Sequence, residues 1–235
     1  MISVCMATYN GGLYIKEQID SIIMQLSKDD ELIISDDGSR DGTIEIINSF
    51  HDIRIKLYHN ETNHGFVGNF ENALSQAKGD YIFLSDQDDI WKEGKIKVTL
   101  DALKNYDLVV HNAELIDGSG NSLNKDYYSC LHQKTTFLAN LWKTRFLGCC
   151  MAFNRKVFQD CIPFPQKIVA HDYWIGMYAL AKYKVAFIPN ILISYRRHGN
   201  NVSPSSEKSN NSLFYKVFTK RVSILLSIIN RFLNV

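Results

Sequence analysis

Ile2 to Ala7 is a short apolar run that breaks at Thr8-Tyr9-Asn10-Gly11-Gly12, the pattern of a buried strand opening into a loop. From Leu13 to Leu26 the apolar positions Ile15, Ile19, Ile22, Ile23 and Leu26 share one helical face. Glu31 to Ser35 predicts a second strand, stopped by Asp36-Asp37-Gly38-Ser39. A helix is expected from Thr43 to Phe50, a third strand over Ile53 to Tyr58, and a helix over Phe66 to Ala77 with Gly79 as its stop signal. Tyr81 to Ser85 reads as a fourth buried strand running straight into Asp86-Gln87-Asp88-Asp89.

Strands alternating with helices at this spacing imply βαβ units, an α/β fold and a mostly parallel sheet. Such sheets bind ligands at the carboxyl ends of their strands. The loops at Thr8-Tyr9-Asn10, Asp36-Asp37-Gly38 and Asp86-Gln87-Asp88-Asp89 each follow a strand, so all are expected on one edge. The second half is less regular. Asp107 to Asn112 and Leu147 to Phe153 read as strands, Asp117 to Asp126 as a polar loop, and His171 to Lys182 as a helix opening with Asp172. Val185 to Ile188 and Leu192 to Tyr195 are short strands around Pro189, and Gly199 to Asn211 is loop-like. Ser212 to Val235 predicts an amphipathic helix. Phe214, Phe218, Val222, Leu225, Ile229 and Phe232 share one face, and Lys216, Lys220, Ser223, Ser227 and Asn230 another.

The chain has 235 residues, enough for one domain with a small appendage. Its net charge of +1 supplies no global field for a polyanion, so nucleic acid is not an expected partner. The cysteines Cys5, Cys130, Cys149, Cys150 and Cys161 form no CxxC pair and suggest a reducing cytosol; Cys149 and Cys150, in an apolar run, are expected to be buried thiols. The N-terminus lacks the basic start and apolar core of a signal peptide, and no apolar stretch is long enough to span a bilayer. These features predict a cytoplasmic protein, soluble or resting on a membrane surface.

The carboxylates carry the chemistry. Asp86 and Asp88 are two apart at a strand end and point the same way while the chain stays extended. Mg²⁺ or Mn²⁺ takes oxygen ligands, needs only one or two carboxylates, and stabilises charge on a departing diphosphate. A lone Asp-x-Asp is weak evidence, and Asp36-Asp37-Gly38-Ser39 on its own fits a simple turn. Asp172 suits either a general base or a helix cap. Arg196-Arg197-His198 is either a solvated basic cluster or a phosphate and metal element.

Taken in order, four segments resemble the family 2 inverting glycosyltransferases with the GT-A fold. They are Ser3 to Gly11, Ser35 to Thr43, Asn63-His64-Gly65 and Leu84 to Trp91. The similarity covers residues 1 to 100 closely, with scattered motifs to residue 203. It implies a Rossmann-like, mixed, mostly parallel sheet flanked by helices, with the predicted C-terminal helix appended. It also implies that Thr8, Tyr9 and Asn10 border the nucleotide base, that Asp36 or Asp37 contacts uracil or ribose, and that Asp86 and Asp88 serve ribose and metal. The family's acidic motif matches His171-Asp172, which departs from the common Glu but keeps the aspartate assigned as base. Arg196, Arg197 and His198 match a late element that reaches the phosphates and metal, with His198 as the metal ligand. His64 is expected to shape its loop and Trp91 to pack in the core.

The resemblance is strongest to members that build bacterial surface polysaccharides, rhamnosyltransferase-like proteins among them. It implies a UDP- or dTDP-sugar donor and a lipid-linked saccharide acceptor, as in O-antigen or capsule synthesis, with Mg²⁺ or Mn²⁺ as cofactor. Residues 1–203 would form the catalytic domain, split at 100 into donor and acceptor halves, with 204–235 as linker and helix. The helix suits peripheral contact with an anionic membrane, packing on the domain, or a dimer contact. A nucleotidyltransferase is disfavoured because no Arg or Lys follows the first strand until Lys16. A degenerate nucleotide-sugar-binding module is the remaining rival, and both Asp88 and Asp172 are present.

Overall fold

A computed structural model describes residues 1–129, 135–166, 168–198 and 213–233, with the backbone alone over 213–220. Cys130, the loop at 199–211 and the linker from 204 therefore lie outside the described residues, as do the side chains of Phe214, Lys216, Phe218 and Lys220.

Strand β1 (Ile2–Thr8) leads into helix α1 (Ile15–Ile23), followed by β2 (Glu31–Asp36), α2 (Thr43–Asn48), β3 (Ile55–His59), α3 (Phe66–Ser75) and β4 (Tyr81–Ser85). The chain continues through β5 (Ile90–Trp91), α4 (Lys95–Leu103), β6 (Leu108–Asp117), β7 (Ser122–Asp126) and α5 (Phe137–Trp142). A short turn of 3₁₀ helix at Gly148–Cys150 precedes β8 (Met151–Asn154), α6 (Arg155–Cys161), α7 (His171–Lys182), β9 (Val185–Arg197) and α8 (Leu213–Leu233). The strands form one mixed sheet in the order β3-β2-β1-β4-β8-β6-β9-β5, with β7 beside β6.

Strands β1 to β4 are parallel to one another, because β1, β2 and β3 are each followed by a helical crossover. β2 is buried at every position and β1 at nearly every one, as strands covered on both faces require. Register fixes the site: Thr8 pairs with Asp36, and Met6 with Ser85, so these strands end at one edge. In α1, Ile15, Ile19 and Ile22 are fully buried, and α3 packs across β1 and β2. The described cysteines, Cys5, Cys149, Cys150 and Cys161, are free and buried. Among the described residues no helix is long and apolar enough to cross a membrane.

Several expected boundaries shift. The polar stretch from Asp117 is a hairpin, not a loop. Asp117 accepts the N–H groups of Ser119 and Asn121 at 2.9 Å each, Gly120 takes a positive φ, and the chain returns as β7. The strands around Pro189 are one strand. β9 pairs Ile188 with His111 and Ile191 with Asn112, leaving Pro189 and Asn190 as a bulge where proline forfeits no ladder bond. Within the run Leu147 to Phe153, only the end is strand, because Gly148–Cys150 turns first.

Helix α8 forms, but its faces differ from those expected. Ile224 and Ile228 point inward, each 5% exposed, and Ser223, Leu225 and Ser227 are half-buried. Phe232 stacks on Tyr178 of α7 with ring centroids 5.4 Å apart. The expected face of Val222, Leu225, Ile229 and Phe232 is therefore divided between the contact and the solvent.

Candidate active site

A cleft of ≈ 840 Å³ lies across the carboxyl ends of β1, β2 and β4. Thr8, Tyr9, Asn10, Asp37, Asp86, Asp88, Asp172 and His198 all line it. Asp36, Arg196 and Arg197 do not.

The loop after β1 is held by a side chain from the loop after β4. Gln87 Oε1 accepts the Thr8 hydroxyl at 2.6 Å and the Tyr9 N–H at 2.9 Å, while its Nε2 donates to the Tyr9 carbonyl at 3.1 Å. Asn10 takes φ 48°, which Asn tolerates better than most residues. Its N–H donates to Ser39 Oγ at 2.8 Å, and its Oδ1 accepts the Arg40 N–H at 2.9 Å. Tyr9 remains 55% exposed, with its ring at the cleft wall.

The paired aspartates after β2 separate in role. Asp36 is buried and bonds within its own turn, accepting the N–H groups of Gly38 and Ser39 at 2.9 Å each and the Ser39 hydroxyl. Asp37 faces the cleft. Its carboxylate accepts Asn60 Nδ2 at 2.8 Å and the Gly65 N–H at 2.7 Å, and lies 2.8 Å from His64 Nδ1. These bonds tie the β3–α3 loop to the site.

After β4 the carboxylates diverge again. Asp88 Oδ2 and His198 Nε2 face one another at 2.8 Å. Tyr14 stacks on the His198 ring with centroids 5.1 Å apart. Asp89 is fully buried, and its Oδ1 accepts the Arg196 N–H at 2.9 Å. Arg196 is buried behind the cleft: Nε donates to the Asp88 carbonyl at 2.8 Å, and the guanidinium pairs with Glu17 at 2.7 Å. It thus fixes the backbone that presents Asp88. Arg197 is exposed. Trp91 is 3% exposed, tilted against Phe83 in the core.

Asp172 occupies the second position of α7. The cap position belongs to Ala170, whose side chain makes no capping bond, so Asp172 is not the cap. Its Oδ1 accepts the Tyr173 N–H at 2.7 Å. Burial pushes its carboxyl up to about 6, against the opposing effect of backbone N–H bonds. Asp86 rises to about 7 through burial and the charges of Asp88 and Asp172, so these carboxylates lie within electrostatic reach. His171 stacks on Phe70 at 3.7 Å, and burial lowers it to about 3, leaving it neutral at working pH.

A carboxylate oxygen and an imidazole nitrogen at the cleft wall form a donor set that suits Mg²⁺ or Mn²⁺, with room for ligand oxygens. Asp86, Asp89 and Cys149 also bring donor atoms within 4.8 Å of one another. Cys149 is fully buried, and a thiol suits these hard cations poorly, so Asp88 and His198 are the better pair.

Sequence reasoning missed several supports. Gln18 Nε2 donates to Ser85 Oγ and to the Asp86 carbonyl, both at 2.8 Å. A signal existed: with Ile15, Ile19 and Ile22 it occupies the i, i+3, i+4, i+7 face that should be apolar. Lys95 is also buried, donating to the Cys149 carbonyl at 2.7 Å above the Trp91 ring, and nothing local in the sequence announces it.

Residues 3–162 match the family described as glycosyl transferase family 2. The chain belongs to that family. It is therefore a glycosyltransferase, and its sheet and helices have the GT-A architecture of solved relatives. An uncharacterized glycosyltransferase of Rickettsia conorii is 28% identical over 89% of the chain, which spans 36% of that relative's length. The Escherichia coli UDP-Glc:alpha-D-GlcNAc-diphosphoundecaprenol beta-1,3-glucosyltransferase WfgD is 29% identical over 80% of the chain and 73% of its own length. The Shigella flexneri dTDP-rhamnosyl transferase RfbG is 30% identical over 83% and 72%. Among solved structures, Staphylococcus aureus TarS 1-349 with UDP-GlcNAc superposes at TM-score 0.73 and 21% identity, over 96% of this chain and 66% of that one. The Pyrobaculum calidifontis mannosyltransferase PcManGT, solved with GDP-Man and Mn²⁺, superposes at 0.65 and 19% identity, over 100% and 64%.

Proposed function

We propose that this glycosyltransferase moves a sugar from a UDP- or dTDP-sugar to a lipid-linked saccharide, with inversion, in bacterial surface-polysaccharide synthesis. The observation carrying the reading is the meeting of Asp37, Asp86, Asp88, Asp172 and His198 in one cleft. The names of WfgD and RfbG support both pyrimidine nucleotides and a diphosphoundecaprenol-linked acceptor.

In this reading residues 1–100 hold the donor and 101–203 the acceptor side. Tyr9, Asn10 and the backbone at Thr8 border the base, while Asp37 and Asp86 take base and ribose. Asp88 and His198 would hold Mg²⁺ or Mn²⁺, which would supply positive charge against the diphosphate leaving group. Asp172 removes the proton from the acceptor hydroxyl as that oxygen attacks the anomeric carbon. The bond from that carbon to the phosphate oxygen breaks on the opposite face, which inverts the centre, and the nucleoside diphosphate leaves with the electron pair. Arg196 supports the site from behind by holding the Asp88 backbone.

Asp172→Asn separates this role from a structural one. Turnover should fall on the order of 10²- to 10⁴-fold, the usual contribution of a general base, with donor affinity unchanged. Initial rates with UDP-glucose and dTDP-rhamnose, beside equilibrium binding of the matching nucleotides, would measure both. Parallel loss of rate and affinity would contradict the assignment.

A further inference from the structure

Helix α8 is apolar on two sides. Its inner side is seated on the domain through Ile224 and Ile228, and Arg221 donates to the Leu141 carbonyl at 3.0 Å and the Trp142 carbonyl at 2.7 Å. The outer side should then be polar, and it is not. Val222, Leu226, Ile229 and Leu233 recur at i, i+4, i+7 and i+11, which places them in one stripe. They are 37, 54, 51 and 78% exposed. On α5, Leu138 and Trp142 are likewise 74 and 73% exposed, and Arg221, on the inner side of α8, has its guanidinium 4.0 Å from the Trp142 ring. Clustered large apolar side chains in water mark an interaction surface.

Charge indicates the occupant. Residues 127–159 contain no Asp or Glu, and neither do residues 208–235. The two stretches carry Lys143, Lys216, Lys220, Arg221 and Arg231 on or next to these helices. Asp160, the acid that ends the first stretch, is already paired with Lys182 at 2.6 Å. Cores of protein interfaces are depleted in lysine, whereas Trp and Leu set among basic residues without acids suit the headgroup boundary of an anionic bilayer.

We propose that α5 and the outer stripe of α8 form a docking face for an anionic lipid surface. Both helices touch α7, whose first turn carries Asp172, and the Tyr173 hydroxyl reaches the Leu141 carbonyl at 3.5 Å. Given the function proposed above, an acceptor anchored in the bilayer would meet the base without leaving the membrane.

Flotation of the full chain with vesicles of phosphatidylcholine, with and without phosphatidylglycerol, tests the surface. Wild type should float with the anionic vesicles alone, and added salt should release it. Leu226→Gln/Ile229→Gln and Trp142→Ala should each weaken that binding by about tenfold or more, since each removes exposed apolar area from the interface. Far-UV circular dichroism and nucleotide binding by both variants should match wild type. Failure of wild type to float, or flotation untouched by both variants, would overturn the proposal. So would a dimer by light scattering that the variants dissociate without changing flotation. Vesicle binding by a protein that binds no nucleotide would sink the catalytic reading and leave the surface standing.

Discussion

As the proposed base, Asp172 is the side chain in which burial would have the plainest consequence for rate. An aspartate in water titrates near pH ~3.9, whereas burial pushes this one up to about 6. A base must be ionised to accept a proton, so activity is present above the raised value and lost as pH falls through it. The expected profile of kcat/KM is flat at high pH and falls about tenfold per unit below about 6. Rates between pH 4.5 and 8 would show it; an acid limb near the ordinary aspartate value would mean that Asp172 is not the base or that its carboxyl is better solvated. Asp-Asp-Gly-Ser announced a turn and a ligand site at once, and only backbone direction assigns the turn to Asp36 and the cleft to Asp37. Arg196 matched an element that the family resemblance assigned to phosphate, and the residues alone left a solvated cluster equally open; strand alternation turns it inward toward Glu17 and the Asp88 carbonyl.

Elements transmit that geometry, and α3 shows how closely. A Cβ on Gly68 would lie 1.9 Å from the Asn63 carbonyl oxygen and 2.6 Å from its Nδ2. The helix therefore needs a glycine against the loop whose Gly65 and His64 meet Asp37. Gly68→Ala should destabilise the protein by about 1–3 kcal/mol, typical of forced overpacking. For a chain of this size that lowers the melting temperature by roughly 2–4 °C per kcal/mol. Thermal melts would read it, and an unchanged midpoint would mean that the loop can yield. The elements from β1 to β4 were legible because their strands are continuous apolar runs with helices of clear period between them. β7 had no such signal: four of its five residues are exposed, and among the described residues it pairs only with β6, through a turn made by Asp117. α8 was legible as a helix, but which apolar residues face inward depends on the partners α5 and α7, which no local pattern encodes.

Across the whole molecule, two differently built halves of one sheet share a cleft. The parallel half supplies the loops of β1, β2 and β4, and register alone brings their ends together. The mixed half returns β9 to the same edge, so that His198 meets Asp88 across 110 residues of sequence. That long-range pairing runs through a bulged strand, which is why the motifs in this half could be read while their spatial relation could not. In the function proposed above, this edge binds a pyrimidine nucleotide through a divalent cation on Asp88. Titration calorimetry of UDP and dTDP, each with Mn²⁺ and with chelator, against wild type and Asp88→Ala tests it most directly. Wild type should bind at least one nucleotide in Mn²⁺, with binding lost in chelator and in Asp88→Ala. Absence of binding by wild type, or equal binding in chelator and in the variant, would contradict it.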